Sequence, residues 1–125
     1  ADIGIYLIHQ IEPIVVLMGS DVKKIMYLGN DKCPAWQLAF ADGRTASINF
    51  MKNDWSYFFR INHDTRNEMI KISDDFFKFE IMAMLEMFRT GKAPIEKAQT
   101  IAIMAIRETC IKATNTPLQW VDLVQ

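Results

Sequence analysis

A glycine and a proline three residues apart divide the second half of this sequence into two long apolar segments. Gly91 follows a run that ends at Thr90, and Pro94 precedes a run that begins at Ile95. Glycine suits the left-handed residue just past a helix, and proline suits the first turn of the next one. The sequence therefore predicts two long helices joined by a short link, and the fold must cover both of them.

The amino-acid composition and net charge indicate a folded domain and do not indicate a highly charged partner. The 125 residues are 50% apolar and 23% charged, with a net charge of −1, which allows a real core and does not indicate nucleic-acid binding. No apolar run approaches the ~20 residues of a membrane span, and no segment has the layout of a signal peptide. Cys33 and Cys110 lack CxxC spacing, so we interpret them as free thiols in a reducing cytoplasm, with a disulfide as the alternative.

Short stretches rich in apolar residues predict strands, and in some of them the apolar residues alternate with polar ones. Predicted helices lie between these strands. We predict strands at 2–7, 22–28, 34–40, 45–51, 57–61, 68–72 and 118–124, with a hairpin turn at 41–44. Short strands with short turns favour an antiparallel sheet. Helices are expected from about residue 9 to 18, from a cap at Ser73 or Asp74 to Thr90, and from 95 to about 114. The helix that ends at Thr90 is apolar on most of its surface, which predicts burial between the sheet and another helix.

Several kinds of site are missing from the sequence. The five glycines are too dispersed for a GxGxxG turn or a P-loop, so we expect no nucleotide site of either kind. There is no HExxH, no GxSxG and no cluster of Cys and His at zinc spacing. We therefore expect no metal site.

The sharpest candidate for chemistry is His9. Pro13 has no backbone N–H, which places it early in a helix, so the helix should begin near His9 or Gln10. The positive end of the helix dipole disfavours the imidazolium form, and a neutral imidazole can accept a proton. The alternative is a structural histidine. His63, next to Asp64 in a polar loop, indicates surface chemistry instead.

Five aromatic residues are expected on the predicted sheet. They are Trp36, Trp55, Tyr57, Phe58 and Phe59. These side chains pack in the core, or they form a surface on which a sugar ring stacks, or they form a subunit interface.

Taken in order, these segments resemble a known family. The "FxxGxxP" run from Phe88 to Pro94, the following helix rich in Ile, Ala and Met, and the final stretch 118–123 resemble the end of a Gfo/Idh/MocA-type oxidoreductase. The segment from Ile5 to Pro13, with His9 and Glu12 as an "H-x-x-E/D" core and with "MG" at 18–19, is similar to the strand-to-helix segment of that family. The likeness spans essentially the whole chain.

The resemblance implies an α+β fold with an open, largely antiparallel sheet and helices packed on one face. It also implies that residues 1–125 are one substrate-binding and oligomerisation domain, and that an N-terminal Rossmann domain holding NAD or NADP lies outside this chain. His9 would exchange a proton with the reacting carbinol, and Tyr6 and Trp55 would line the substrate. Ile5 stands where many members of the family have an aspartate.

The sequence thus predicts the C-terminal domain of an NAD(P)-dependent oxidoreductase acting on a sugar, a cyclitol or a related polyol. This domain would be inactive alone, because the cofactor supplies the hydride chemistry and its site is elsewhere. We expect a homo-oligomer formed through the sheet face, no cofactor bound to this domain, and no nucleic-acid or membrane partner. The alternatives are a non-catalytic α+β interaction module and a stand-alone domain that binds a small ligand.

Overall fold

The structure, a computed structural model, describes residues 2–51, 53, 57–72 and 75–124. The chain divides into two compact units, one formed by Ala1–Asp54 and Lys97–Gln125 and the other by Trp55–Glu96. The expected single domain over residues 1–125 stays a prediction. The α+β fold class is confirmed, because helices accompany sheets whose described strand pairs are all antiparallel.

The first unit holds most of the regular structure. Its elements are α1 (Ile3–Tyr6), α2 (Ile8–Met18), β1 (Val22–Tyr27), β2 (Ala35–Phe40), β3 (Thr45–Asn49), α4 (Lys97–Ala113) and β6 (Trp120–Asp122). Its four strands form one sheet in the order β3-β2-β1-β6. The hairpin turn between β2 and β3 is confirmed, with Gly43 at φ 90° and the carboxylate of Asp42 accepting a hydrogen bond from the backbone N–H of Arg44.

One face of this sheet and the helices enclose the core. Trp36, Leu38 and Phe40 alternate along β2 and are buried, as the period of two in a strand requires. In β1 the alternation shifts at an irregularity between Val22 and Lys24. Helix α4 contacts β1, β6 and α2, so helices cover one face of the sheet. The buried apolar residues of the helices are Leu7, Ile11, Ile14, Val15, Ile103, Ile106, Cys110 and Ala113.

The C-terminal end of α4 is held to the sheet by side chains. The last four carbonyls of a helix have no intrahelical donor, and Trp36 Nε1 donates to one of them, the carbonyl of Cys110, at 2.9 Å. Buried Thr109 donates its hydroxyl to the carbonyl of Ala105 and accepts from the backbone N–H of Val124 at 3.0 Å. The indole and the hydroxyl therefore bind β2 and the segment after β6 to the same helix.

The predicted strand at 2–7 is wrong, because this segment is the short helix α1. The carboxylate of Asp2 accepts a hydrogen bond from the backbone N–H of Gly4 at 2.8 Å, which caps a helix start. Arg107 Nε of α4 then donates to the carbonyl of Gly4 at 2.6 Å. A local cap and a contact made 103 residues later thus override the alternating apolar pattern.

The second unit contains β4 (Phe58–Asn62), β5 (Asn67–Lys71) and α3 (Phe76–Thr90). The two strands form a hairpin that makes a separate two-stranded sheet. The predicted end of α3 is confirmed, since Gly91 is left-handed at φ 69° and its N–H donates to the carbonyl of Met87. The expected caps Ser73 and Asp74 lie outside the described residues.

Two predictions about these helices are wrong. No residue of α3 is buried, which contradicts the predicted burial of this helix. In addition, α4 begins at Lys97, three residues after Pro94, so the proline lies in the link and does not open the helix. Apolar spacing predicts that both segments are helical. It does not specify what covers α3 or at which residue α4 begins.

The two cysteines are free thiols in contrasting places. Burial raises the pKa of Cys110 to about 12 from an ordinary value of 9.0, whereas Cys33 is exposed. A raised folded-state pKa means that the folded protein holds its proton more tightly than the unfolded chain. This stabilisation is fully present below pH 9 and is lost as the pH rises towards 12, at about 1 kcal/mol for each pH unit.

We therefore expect the free energy of unfolding to fall between pH 9 and pH 11, partly through Cys110. Urea unfolding at several pH values measures this fall. Burial, and secondly Asp31, also raise the pKa of Tyr27, which acts in the same direction. The contribution of Cys110 is thus the difference in slope between the wild type and Cys110→Ala. Cys33→Ala should keep the wild-type slope, and equal slopes in all three proteins would contradict the assignment.

Candidate functional site

His9 lies on the outer side of α2, which is anchored from its inner side. Leu7, Ile11 and Val15 are buried at four-residue spacing, which is one face of a helix. The His9 side chain, on another face, is 53% exposed. The backbone that carries His9 is therefore held by core packing, while the imidazole is accessible to a small molecule.

Two side chains at three-residue spacing flank the imidazole. Glu12 Oε2 lies 3.7 Å from His9 Nδ1, and the centroid of the Tyr6 ring lies 6.3 Å from that of the imidazole, tilted by 52°. The distance between these two atoms exceeds a hydrogen bond but lies within ion-pair range. This site, Tyr6, His9 and Glu12, has the groups needed to exchange a proton with a hydroxyl.

His9 does not lie at the start of the helical segment, where the sequence predicted that the helix dipole would act on it. Helix α1 ends at Tyr6 and α2 begins at Ile8, so a further helical turn precedes His9. The side-chain cap of this helical segment is Asp2, and Leu7, the residue before α2, makes no side-chain cap. Glu12 and Tyr6 are among the side chains that lie beside His9. Pro13, inside α2, donates no hydrogen bond to the carbonyl of His9, four residues earlier.

The structure brings together only part of the predicted set. Tyr6 and His9 are neighbours, whereas Trp55 lies outside the described residues. Trp36 belongs to the core, with no exposed surface. His63 is in the second unit, where its Nε2 lies 3.6 Å from Glu68 Oε2, and Arg66 Nη2 lies 2.9 Å from the same carboxylate. These contacts make His63 part of a surface ion-pair network.

Sequence reasoning did not assign Glu12 or Arg107 to the site. The i,i+3 spacing of His9 and Glu12 is a signal that could have found the first of them. Arg107 supports the site by its hydrogen bond to the carbonyl of Gly4. Nothing in the local sequence indicates that contact.

The open face of the four-stranded sheet is a second surface of interest. The strand register places Trp120, Met26, Gln37 and Ser47 in one row across β6, β1, β2 and β3. Ser47 Oγ donates to Gln37 Oε1 at 2.6 Å, and Lys24 Nζ lies 5.0 Å from the centroid of a Trp120 ring. This row thus contains apolar and neutral polar side chains, with the charged Lys24 beside it.

Two classes of site receive no support from the described ranges. His, Cys, Asp and Glu side chains there form no group of three that could hold a metal ion. Within the same ranges, no helix has both the length and the apolarity needed to cross a bilayer. Comparison with protein-family models, curated proteins and solved structures gives no significant match to this chain.

Proposed function

We propose that this chain is the C-terminal substrate-binding and dimerisation domain of a cytoplasmic NAD(P)-dependent oxidoreductase that acts on a sugar, a cyclitol or a related polyol. The observation that carries the proposal is the site on α2, where the accessible imidazole of His9 lies between Tyr6 and Glu12 on a helix anchored in the core. The α+β fold with an antiparallel sheet agrees with it.

In this proposal His9 handles the proton of the reaction. The imidazole would accept the proton of the carbinol hydroxyl during oxidation and return it during reduction. An NAD(P) cofactor bound to another domain would supply the hydride chemistry. The carboxylate of Glu12 lies 3.7 Å from His9 Nδ1, within ion-pair range. Tyr6 offers an aromatic face and a hydroxyl to the sugar ring, and Trp55 is proposed as a further substrate contact.

The cofactor itself is proposed to lie elsewhere. The residues of this chain contain no glycine-rich turn of the dinucleotide type, so they do not fit an NAD(P) site of that kind. We assign the cofactor to a separate Rossmann domain. The homo-oligomer is proposed to form through the open sheet face, whose row from Trp120 to Ser47 is only partly polar.

Replacing His9 tests the proposed site. We expect His9→Gln to weaken binding of a polyol such as myo-inositol or sorbitol by about tenfold, because a hydrogen bond to the hydroxyl is lost or misplaced. A titration followed by NMR chemical shifts measures the affinity. The matched control is His63→Gln, the same change in the second unit, which should keep the wild-type affinity.

The second candidate function is a non-catalytic dimerisation module, which the open sheet face favours. Under that function the wild type and His9→Gln show the same response to polyols. An equal loss of affinity in His9→Gln and His63→Gln would contradict the assignment of His9.

A further inference from the structure

Helix α3 carries an uncovered apolar stripe that the proposed enzymatic function does not use. The stripe is formed by Phe77, Ile81, Met84, Leu85 and Phe88, whose spacing places them on one side of the helix. These five residues are 46% to 73% exposed. The apolar residues of α3 outside the stripe, Phe76, Phe79 and Met82, are 52% to 59% exposed, whereas Ala83 and Met87 are half-buried.

The size of the stripe indicates a protein partner. With about 150–250 Å² for each aromatic side chain and somewhat less for each aliphatic one, the exposed fractions amount to roughly 500 Å². Two such surfaces supply about the 1,000 Å² of total buried area that a specific interface needs. Single exposed apolar residues are normal on a surface, whereas a continuous stripe of roughly 500 Å² is in the upper part of the range for the largest apolar patch of a monomer, and such patches are often functional.

The order of residues in the stripe indicates that the partner is a second copy of the same helix. Successive spacings of four, three and four residues separate Phe77, Ile81, Met84 and Phe88. This is the spacing of the apolar seam between two paired helices. The seam is symmetric about its midpoint, with an aromatic residue at each end and an aliphatic side chain or thioether between. In a two-fold antiparallel pair, each Phe77 meets Phe88 of the second copy, and each Ile81 meets Met84 of the second copy.

The residues beside the seam are compatible with this pairing. In an antiparallel pair each flank meets the same flank of the other helix, so Lys78 lies beside Leu85 of the second copy and Glu80 beside Met87 of the second copy. No like charges face each other, and the methylene stem of Lys78 covers the leucine. Glu86 is already paired with Arg89, whose Nε donates to its carboxylate at 2.9 Å, and neither residue is needed at the seam.

We propose that two copies of this chain associate through the α3 stripe in an antiparallel helix pair. The proposal does not rest on the oxidoreductase function or on the pairing through the open sheet face. It concerns one helix of the second unit and holds whether or not His9 acts on a substrate.

The test is the molar mass of the whole chain in solution, measured by light scattering or analytical ultracentrifugation. We expect Ile81→Glu to halve the mass of the wild-type assembly, because it places a charge in the middle of the seam, and to weaken association by roughly 100-fold or more. Phe88→Glu, at the end of the seam, should act in the same direction. Far-UV circular dichroism checks that each variant keeps its helices.

The matched control is Met82→Glu, which introduces the same residue next to Ile81 at an equally exposed methionine outside the stripe. It should retain the wild-type mass. A monomeric wild type would overturn the proposal, since the stripe would then be covered within one chain or not at all. A wild-type oligomer that Ile81→Glu and Phe88→Glu leave intact would also overturn it, because association would then use another face.

Discussion

Trp36→Ala is expected to lower the free energy of unfolding by about 3–5 kcal/mol, the range for removing a buried tryptophan side chain. Trp36 has no exposed surface, its ring centroid lies 5.2 Å from that of Tyr27, and its Nε1 donates to the carbonyl of Cys110. The substitution therefore leaves a cavity in the sheet core and removes the donor for the end of α4. Urea-induced unfolding measures the loss.

Two further variants separate these contributions. Trp36→Phe keeps most of the ring volume but leaves the Cys110 carbonyl without its donor, which should cost about 1–3 kcal/mol. Trp120→Ala is the control for removing an indole, because Trp120 is 43% exposed on the open sheet face, and its cost should be well below that of Trp36→Ala. Equal costs for Trp36→Ala and Trp120→Ala would contradict the core described for the first unit.

Gly29→Ala is expected to cost more than about 4 kcal/mol, which is exceptional for so small a change. A Cβ at Gly29 would overlap the carbonyl oxygen of Cys33 and would lie 2.5 Å from the nitrogen of Ala35 and 2.8 Å from the Cα of Pro34. These are backbone atoms, so the connection between β1 and β2 would have to move. The same urea measurement gives the loss.

The matched control for this variant is Gly43→Ala. Gly43 has a φ of 90° but open space around its Cα, so alanine there meets conformational strain without a clash and should cost about 1 kcal/mol. Similar losses for Gly29→Ala and Gly43→Ala would mean that the close approach at Gly29 is not rigid.

The sequence was informative where one local signal determined the structure. Strands β1 to β5 lie in segments where strands were predicted, with clear apolar alternation in β2 and β3, and Gly19, Gly43 and Gly91 mark the predicted ends or turns. Prediction from the sequence failed where contacts between residues far apart in the chain determine the structure. Helix α1 depends on the cap by Asp2 and on Arg107 from the other end of the chain, and composition alone could not show that α3 is uncovered.

The candidate site was predictable to a similar degree. His9 and Tyr6 were selected from their position and from the resemblance, and the spacing to Glu12 follows from helical geometry. The extra turn before His9 could not be foreseen, because it depends on α1 being a helix. The partition into two compact units also has no local signal in the sequence, since the contacts that define it join residues before 54 to residues after 97.

We propose that this chain binds a polyol at the His9 site and that the cofactor binds to another domain. The most direct test is an NMR titration of the ¹⁵N-labelled chain with myo-inositol, sorbitol and glucose, and separately with NADH. We expect at least one polyol to shift amide signals confined to the segment around Tyr6, His9 and Glu12, and we expect NADH not to bind with micromolar affinity. Shifts located elsewhere, no response to any polyol, or micromolar binding of NADH would contradict this proposal.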